Sequence, residues 1–184
     1  MRIVAGAFGG RRLHTPRGLK IRPTPDRVRE AVFSIIAPRL PGARIMDLFA
    51  GTGAMGLEAL SRGASHVIFV DENPGAIRLI RTNAALCGIG ERAAIVEAPV
   101  ERALRRFSAD KIICGLVFLD PPYGKGLVER TLPYLAEVTH PGALAVAEHH
   151  VKDILPDTVG SWMKSRERRY GDTAVSFFLK DPPI

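Results

Sequence analysis

Hydrophobic positions along this chain fall into short runs whose period changes several times. Val28, Ala31, Val32, Ile35 and Ile36 recur at i, i+3, i+4, i+7 and i+8, which is one apolar face of a helix. Thr24-Pro25-Asp26 predicts the start of that helix: Thr is the N-cap, Pro takes the first helical position, and Asp sits where the dipole favours an acid. Pro38 ends it. From Ala43 onward, strand-like and helix-like segments alternate. Strands are predicted over 44–48, 66–70, 93–97, 116–119 and 143–147, with helices after Gly53, from Pro74, from about Val100 and from Leu127. Such alternation argues for an α/β fold, a parallel sheet covered by helices on both faces. Two further strands, 163–170 and 173–179, flank Gly171-Asp172 and predict an antiparallel hairpin at the end of the sheet. Ahead of the first helix, alternating segments 2–7 and 12–15 joined through Phe8-Gly9-Gly10 predict a small β-hairpin. The expected organisation is an N-terminal hairpin and helix extension, 1–42, on one α/β body, 43–184.

Charge separates these two parts. Residues 1–44 carry ten Lys or Arg against Asp26 and Glu30, a net of +8, while the other 140 residues carry 16 basic against 17 acidic groups, a net of −1. A concentrated basic surface on a neutral body is the electrostatic footprint of a polyanion, so nucleic acid is the expected partner. A solubilising arm is the plainer alternative. At 184 residues the chain suits one core. It has no apolar run of membrane-spanning length and no secretory leader, and its two cysteines are too few for a disulfide framework. A cytoplasmic protein that works without a membrane is expected, and nothing in the sequence demands a dimer.

The chemistry centres on Phe118-Leu119-Asp120-Pro121-Pro122-Tyr123. An apolar strand is stopped by two prolines, neither of which donates to a ladder, so an acid and an aromatic are held at a rigid strand end. That suits chemistry on a planar amino group: a carboxylate and freed carbonyls accept its hydrogens while a ring stacks on the attached base. The same residues also make an ordinary proline turn with a capping Asp.

A second signal follows the first predicted strand. Gly51, Gly53 and Gly56 satisfy G-x-G-x-x-G, and Asp71 lies 20 residues beyond Gly51 at the end of the second strand, which read directly is a dinucleotide site. Asp47, four residues before Gly51, changes the picture. A carboxylate is badly placed beside a pyrophosphate but well placed for the ammonium group of an amino acid. S-adenosylmethionine carries such a group, with a ribose for Asp71 and no phosphate. Asp47 as a cap on the strand-to-helix turn, and Asp71 as a cap on the next helix, remain open, although Asn73 is the better cap there.

With Asp47-Leu48-Phe49-Ala50-Gly51-Thr52-Gly53, Asp71 and Asp120-Pro121-Pro122-Tyr123 in order, the chain resembles amino-directed S-adenosylmethionine-dependent methyltransferases. The segments 2–6, 10–13, 22–33, 56–64 and 170–177 are similar to the bacterial small-subunit rRNA guanine-N2 methyltransferases of the RsmD type, and Arg22-Pro23-Thr24-Pro25-Asp26-Arg27-Val28-Arg29-Glu30 is the most specific of them. The resemblance implies a Rossmann-like seven-stranded methyltransferase sheet. It implies S-adenosylmethionine as donor and, as acceptor, a guanine in 16S rRNA, free or in the assembled small ribosomal subunit. It implies donor contacts at Asp47, Phe49, Ala50, Gly51, Gly53, Asp71 and Glu72, and catalysis at Asp120, Pro121, Pro122 and Tyr123. Many related enzymes hold the adenine amino group with an Asp or Asn after the third strand. Here that segment is Glu97-Ala98-Pro99-Val100, so the contact falls to backbone of Ala98 or Val100, or to Glu101. Arg11, Arg12, Arg22, Arg27 and Arg29 are expected on rRNA phosphates, with Thr24 and Arg27 closer to the donor and the target base, unless Arg27 and Arg29 form only the wet face of their helix.

The rival readings are a DNA amino-methyltransferase, an RNA-binding module with a decayed pocket, and a nicotinamide-dependent oxidoreductase. A DNA enzyme usually needs a separate target-reading region, which 184 residues leave no room for. His149 and His150 point to opposite faces of an extended segment, so no metal is expected. Cys87, Trp162 and Phe177-Phe178 read as core.

Overall fold

The computed structural model describes residues 1–15 and 26–181. Its centre is an eight-stranded sheet in the order β3-β2-β1-β4-β5-β8-β7-β6. The strands are β1 (Arg44–Leu48), β2 (His66–Asp71), β3 (Ala93–Glu97), β4 (Cys114–Leu119), β5 (Thr139–His150), β6 (Thr158–Val159), β7 (Trp162–Tyr170) and β8 (Thr173–Lys180). The first five are mutually parallel, and β8 and β7 return antiparallel as the predicted hairpin. The resemblance implied seven strands. The eighth, β6, is a two-residue piece that pairs only Trp162 and Met163 of β7. Strand order reverses between β1 and β4, and crevices at such a switch point, outside the carboxyl ends of the strands, are where open α/β sheets bind ligands.

Helices cover both faces. On one face α1 (Asp26–Ile36), α2 (Ala54–Ser61) and α3 (Pro74–Cys87) pack on Ile45, Val67, Phe69, Leu116 and Phe118. On the other, α4 (Val100–Ala109) and α5 (Leu127–Leu135) bury Leu104, Phe107 and Leu132 against Met46, Ile68 and Val117. Cys87, Trp162, Phe177 and Phe178 are core, as their neighbours in sequence predict. Along α1, Val28, Val32 and Ile36 are buried while Ala31 and Ile35 are half-buried, because Phe33 takes the deep position and its ring meets Phe118 at 5.6 Å between centroids. That contact braces the strand two residues before Asp120. The cap read at Thr24-Pro25 lies outside the described residues.

The predicted N-terminal hairpin forms in a short version. An antiparallel bridge joins Arg2 and Arg12, while Ile3 donates to the Arg11 carbonyl, Gly10 to the Ile3 carbonyl and Leu13 to the Met1 carbonyl. The pairing goes no further because the next amides turn to α2. Val4 and Ala5 donate to the Glu58 carboxylate at 2.7 and 3.0 Å, Ala7 to the Ser61 carbonyl, and Phe8 to the Ser61 hydroxyl. Donors used on α2 are not available to a partner strand. Ile3, Phe8 and Leu13 then enter the same core as α1 and α2. Gly6, at φ +83°, lets the chain lie against α2: a Cβ there would stand 1.9 Å from the Ser61 carbonyl oxygen.

Gly56 is a packing glycine. A Cβ on it would lie 2.3 Å from the Phe69 ring and 2.8 Å from Val67, so α2 rests on β2 only because that position is bare. Gly56→Ala is therefore expected to lower stability by about 1–3 kcal/mol, the usual cost of overpacking, as a shift in the urea unfolding midpoint at unchanged slope.

Candidate active site

Above the switch point lies a cavity of about 720 Å³, walled by the loop after β1, the end of β2, the start of α4, the segment after β4 and one side of α5. Asp47, Phe49, Ala50, Gly51, Asp71, Glu72 and Val100 line it, and so do Asp120, Pro121, Pro122 and Tyr123. Two signals about 70 residues apart in sequence thus share one chamber. The volume suits a ligand of nucleoside-plus-amino-acid size.

Each acid is held by a specific piece of backbone. Asp47, next to last in β1, is almost fully buried and accepts the Gly56 amide at 2.8 Å, so it braces α2 and faces the cavity at once. Burial pushes its carboxyl up to about 7; the Gly56 N–H opposes this and the charge of Asp71 adds to it. Asp71 accepts the Gly51 amide at 2.9 Å on one oxygen and the Asn73 amide at 2.8 Å on the other. Asn73 caps α3 itself, accepting from Gly75 at 2.7 Å, as expected. A carboxylate has about four lone-pair sites. Asp71 therefore keeps acceptor capacity toward the cavity after both backbone bonds. Phe49, between β1 and the glycines, sits at φ 60°, a left-handed conformation that a non-glycine residue adopts only when its surroundings hold it there.

The glycines do different work. Gly51 (φ 54°) lines the cavity, whereas Gly53 (φ 75°) makes the turn into α2 and lies outside the lining, and Gly56 serves helix packing. After β3, the Ala98 amide is used on the Asp71 carbonyl at 3.1 Å and Ala98 does not reach the cavity. Pro99, Val100 and Glu101 do. Of the residues the sequence offered for that wall, Val100 and Glu101 line the cavity and Ala98 is not among its walls.

Asp120 lines the cavity at the point where the Pro-Pro step stops β4. Burial, then the nearby Glu148 carboxylate, then Asp47 push its carboxyl well above the usual carboxylate range. Tyr123 is fixed from behind: its hydroxyl donates to Glu148 Oε1 at 2.9 Å and lies 3.4 Å from the Thr173 hydroxyl, and its ring meets His150 edge-on at 5.9 Å. Burial raises the Tyr123 phenol, so it remains a neutral donor.

The basic residues divide. Arg11 and Arg12 are exposed, and Arg11 packs its guanidinium over Phe8 at 5.5 Å while donating to the Leu86 carbonyl. Arg27 is exposed on α1, and Arg22 and Thr24 lie outside the described residues. Arg29 corrects the wet-face expectation made for it. It is 1% exposed, bonded to Asp26 at 3.0 Å and to the Arg2 carbonyl, and faces the fully buried Glu58 carboxylate at 3.7 Å. It is not on the wet face of its helix, because α1 turns that position inward onto α2, where it also lines the cavity.

Sequence reasoning missed several residues of this region. Lys125, Arg130, Thr131 and Tyr134, from the segment after Tyr123 and from α5, are walls of the cavity. Glu148, near the end of β5, lines a smaller adjoining pocket that shares Pro121, Pro122 and Tyr123 with the large one. Arg130 and Tyr134 at i, i+4 on one side of α5 were the available signal. For Glu148 the signal was a lone acid closing the apolar run of β5.

Residues 1–179 match the family model described as Conserved hypothetical protein 95. The chain is 32% identical over 183 residues to the ribosomal RNA small subunit methyltransferase D of Escherichia coli (strain K12), covering 98% of this chain and 90% of that one. Among solved structures it is similar to a hypothetical protein of Thermus thermophilus, with 33% identity, a TM-score of 0.83, and 96% and 98% of the two chains covered. An RNA methyltransferase from Salinibacter ruber, solved in complex with S-adenosyl-L-homocysteine, has the same fold, with a TM-score of 0.68 at 18% identity over 88% of this chain and 95% of that one. By the family model and by identity along nearly the whole length, the chain belongs to the Conserved hypothetical protein 95 family, with ribosomal RNA small subunit methyltransferase D as a relative.

Proposed function

We propose that this protein transfers a methyl group from S-adenosylmethionine to the exocyclic N2 of a guanine in small-subunit rRNA, a modification made in the cytoplasm during ribosome biogenesis. The observation that carries the reading is the shared cavity: the loop that suits the donor and the Asp-Pro-Pro-Tyr segment that suits an amino acceptor are walls of one chamber. The relative's name supports rRNA of the small subunit as the substrate.

Asp47 holds the ammonium group of the donor, Asp71 the ribose hydroxyls, and the start of α4 the adenine edge. Bound there, the donor supplies a methyl group on a sulfonium, which is already an activated leaving group. The chain's own task is alignment. Guanine N2 is a weak nucleophile because its lone pair is delocalised into the ring. Asp120 and the Pro121 carbonyl accept its two hydrogens and turn the lone pair toward the methyl group, while Tyr123 stacks on the extruded base. The released proton passes to Asp120, whose raised pKa makes it a competent acceptor. A nicotinamide dinucleotide fits less well, since its pyrophosphate would meet the Asp47 carboxylate under the glycine loop. The segment 1–42 serves as the rRNA-reading extension, with Arg11, Arg12 and Arg27 on its exposed side.

The reaction is tested directly. Unmodified small subunits incubated with donor carrying a labelled methyl group, then digested to nucleosides, should yield labelled N2-methylguanosine by mass spectrometry. Asp120→Ala should lose at least about 100-fold in turnover while binding donor normally. Full turnover in that variant, or label in another nucleoside, would overturn the assignment.

Asp47 ties donor binding to pH. Its ionised form is what an ammonium group needs, so donor affinity should climb as pH rises toward about 7 and then level off. The same raised carboxyl costs stability: ionisation of folded protein is penalised as pH rises from 3.8 through about 7, by roughly 4 kcal/mol at most. Asp47→Asn, which still accepts the Gly56 amide, should match the wild type near pH 4, exceed it in urea melts at pH 8, and bind donor weakly at both. A variant no more stable than the wild type at pH 8 would refute the raised carboxyl.

Phosphate contact by the extension is tested by salt. The slope of log affinity against log salt for rRNA should become shallower by about one for each of Arg11→Ala and Arg12→Ala. Unchanged slopes would mark these arginines as a solubilising surface.

A further inference from the structure

The acids at this end of the sheet are ordered. Asp71, Asp47 and Asp120 sit at the carboxyl ends of β2, β1 and β4, and Glu148, near the end of β5, continues the line through four adjacent strands. All four share one face. Asp47 pairs in register with Phe69 and Phe118, whose rings enter the core under α1 to α3, and Asp71 and Asp120 follow those phenylalanines by two residues. Glu148 follows Val146 of the same core by two, and it stands one step past the last β4–β5 pair, Leu119 with Ala147, level with Asp120.

Position in that line sorts the roles. Asp71 and Asp47 lie on the donor side of Asp120, and Glu148 lies on the other side, where an acceptor base has to enter. We propose that Glu148 selects guanine, its carboxylate accepting the base N1–H beside the 2-amino group that Asp120 accepts. The inference rests on the methyl-transfer reading above and adds how the base is chosen.

The chemistry of the bases fits a second carboxylate at that spot. On its Watson–Crick edge guanine offers two adjacent donors, N1–H and N2–H. Adenine and cytosine place a ring-nitrogen lone pair beside their amino groups, which a carboxylate repels. Glu148 is also tied to the ring that stacks on the base: Tyr123 donates its hydroxyl to Oε1 at 2.9 Å, with Thr173 as the next neighbour at 3.4 Å. That bond fixes the carboxylate at the rim of the stacked ring, where an edge-reading group belongs. Asp120 and Glu148, level on adjacent strands, are close enough for the Glu148 charge to push the Asp120 carboxyl up.

Glu148→Gln distinguishes reading from mere support. Its amide oxygen can keep the Tyr123 bond, which turns the amide N–H₂ toward the base. Guanine N1–H then meets a donor, whereas 2-aminopurine, which has the same 2-amino group but a lone pair at N1, meets a match. The experiment compares methylation of small-subunit rRNA carrying guanine or 2-aminopurine at the mapped target, with donor affinity measured by calorimetry as a check on folding. The wild type should favour guanine by at least about 100-fold, as sites built to bond a substrate hydrogen do. In Glu148→Gln that ratio should collapse toward or below one at unchanged donor affinity. Tyr123→Phe, which removes only the anchor, should lower both rates and leave the ratio intact. If Glu148→Gln also keeps the wild-type ratio, Glu148 merely supports Tyr123 and the inference is overturned. If the wild type labels neither substrate despite binding donor, the methyl-transfer reading falls and this inference falls with it.

Discussion

A carboxylate that touches no water ties the N-terminal segment and α1 to α2. Glu58, on the second turn of α2, accepts two amides from the N-terminal segment and the Arg62 guanidinium, and it faces Arg29 from α1. A buried charge is costly unless every lone pair is used, and here nearly all are. The arrangement makes α2 a common floor. Its N-terminal end carries the glycine loop over Asp47, and its side carries the basic segment. The basic segment and the glycine loop are thus both anchored on one short helix.

Much of this was legible in the residues themselves. Every predicted strand of the body and every predicted helix forms within a few residues of its expected place, because alternating apolar runs and clear stops such as Pro38, Gly53, Asn73-Pro74 and Pro121-Pro122 leave few alternatives. Asp47, Gly51, Asp71 and Asp120 converge as their positions at strand ends required. What failed were features decided by tertiary partners. Arg29 looks like any other arginine on a helix until Glu58 turns it inward. Residues 2–7 alternate like a strand, yet only Ile3 bonds across the turn, and the amides of Val4 and Ala5 go to Glu58. Glu148 carries no motif at all, and only the sheet order brings it beside Asp120.

The cavity also shows where local stability has been given up. Asp47 and Asp120 are carboxyl groups pressed into low-dielectric surroundings beside one another, with Glu148 next to Asp120, and both resist ionisation as a result. Hydrophobic residues at those strand ends would pack without that penalty. Local choices that conflict with folding are expected at functional positions, and the strained backbone of Phe49 belongs to the same group. The remainder of the sheet is conventional, with apolar strands sealed between helices, and it supplies the stability that the crevice forgoes.

The shortness of β6 leaves the far border of the sheet in a different condition. Beyond Met163, among the described residues, no strand pairs the outer side of β7. A bare edge of this kind invites docking by the edge of another molecule, which begins aggregation. Lys164, Arg166, Arg168 and Arg169 occupy that stretch, with a register shift between Lys164 and Arg166 that disturbs its regularity. Lys164 is paired with Asp157 and Arg169 with Glu167, so the exposed positive charge of this edge rests on Arg166 and Arg168, and the irregular register denies an intruding strand a flat template. Positive charge in this chain is therefore not confined to the N-terminal segment: on β7 it marks an open sheet edge.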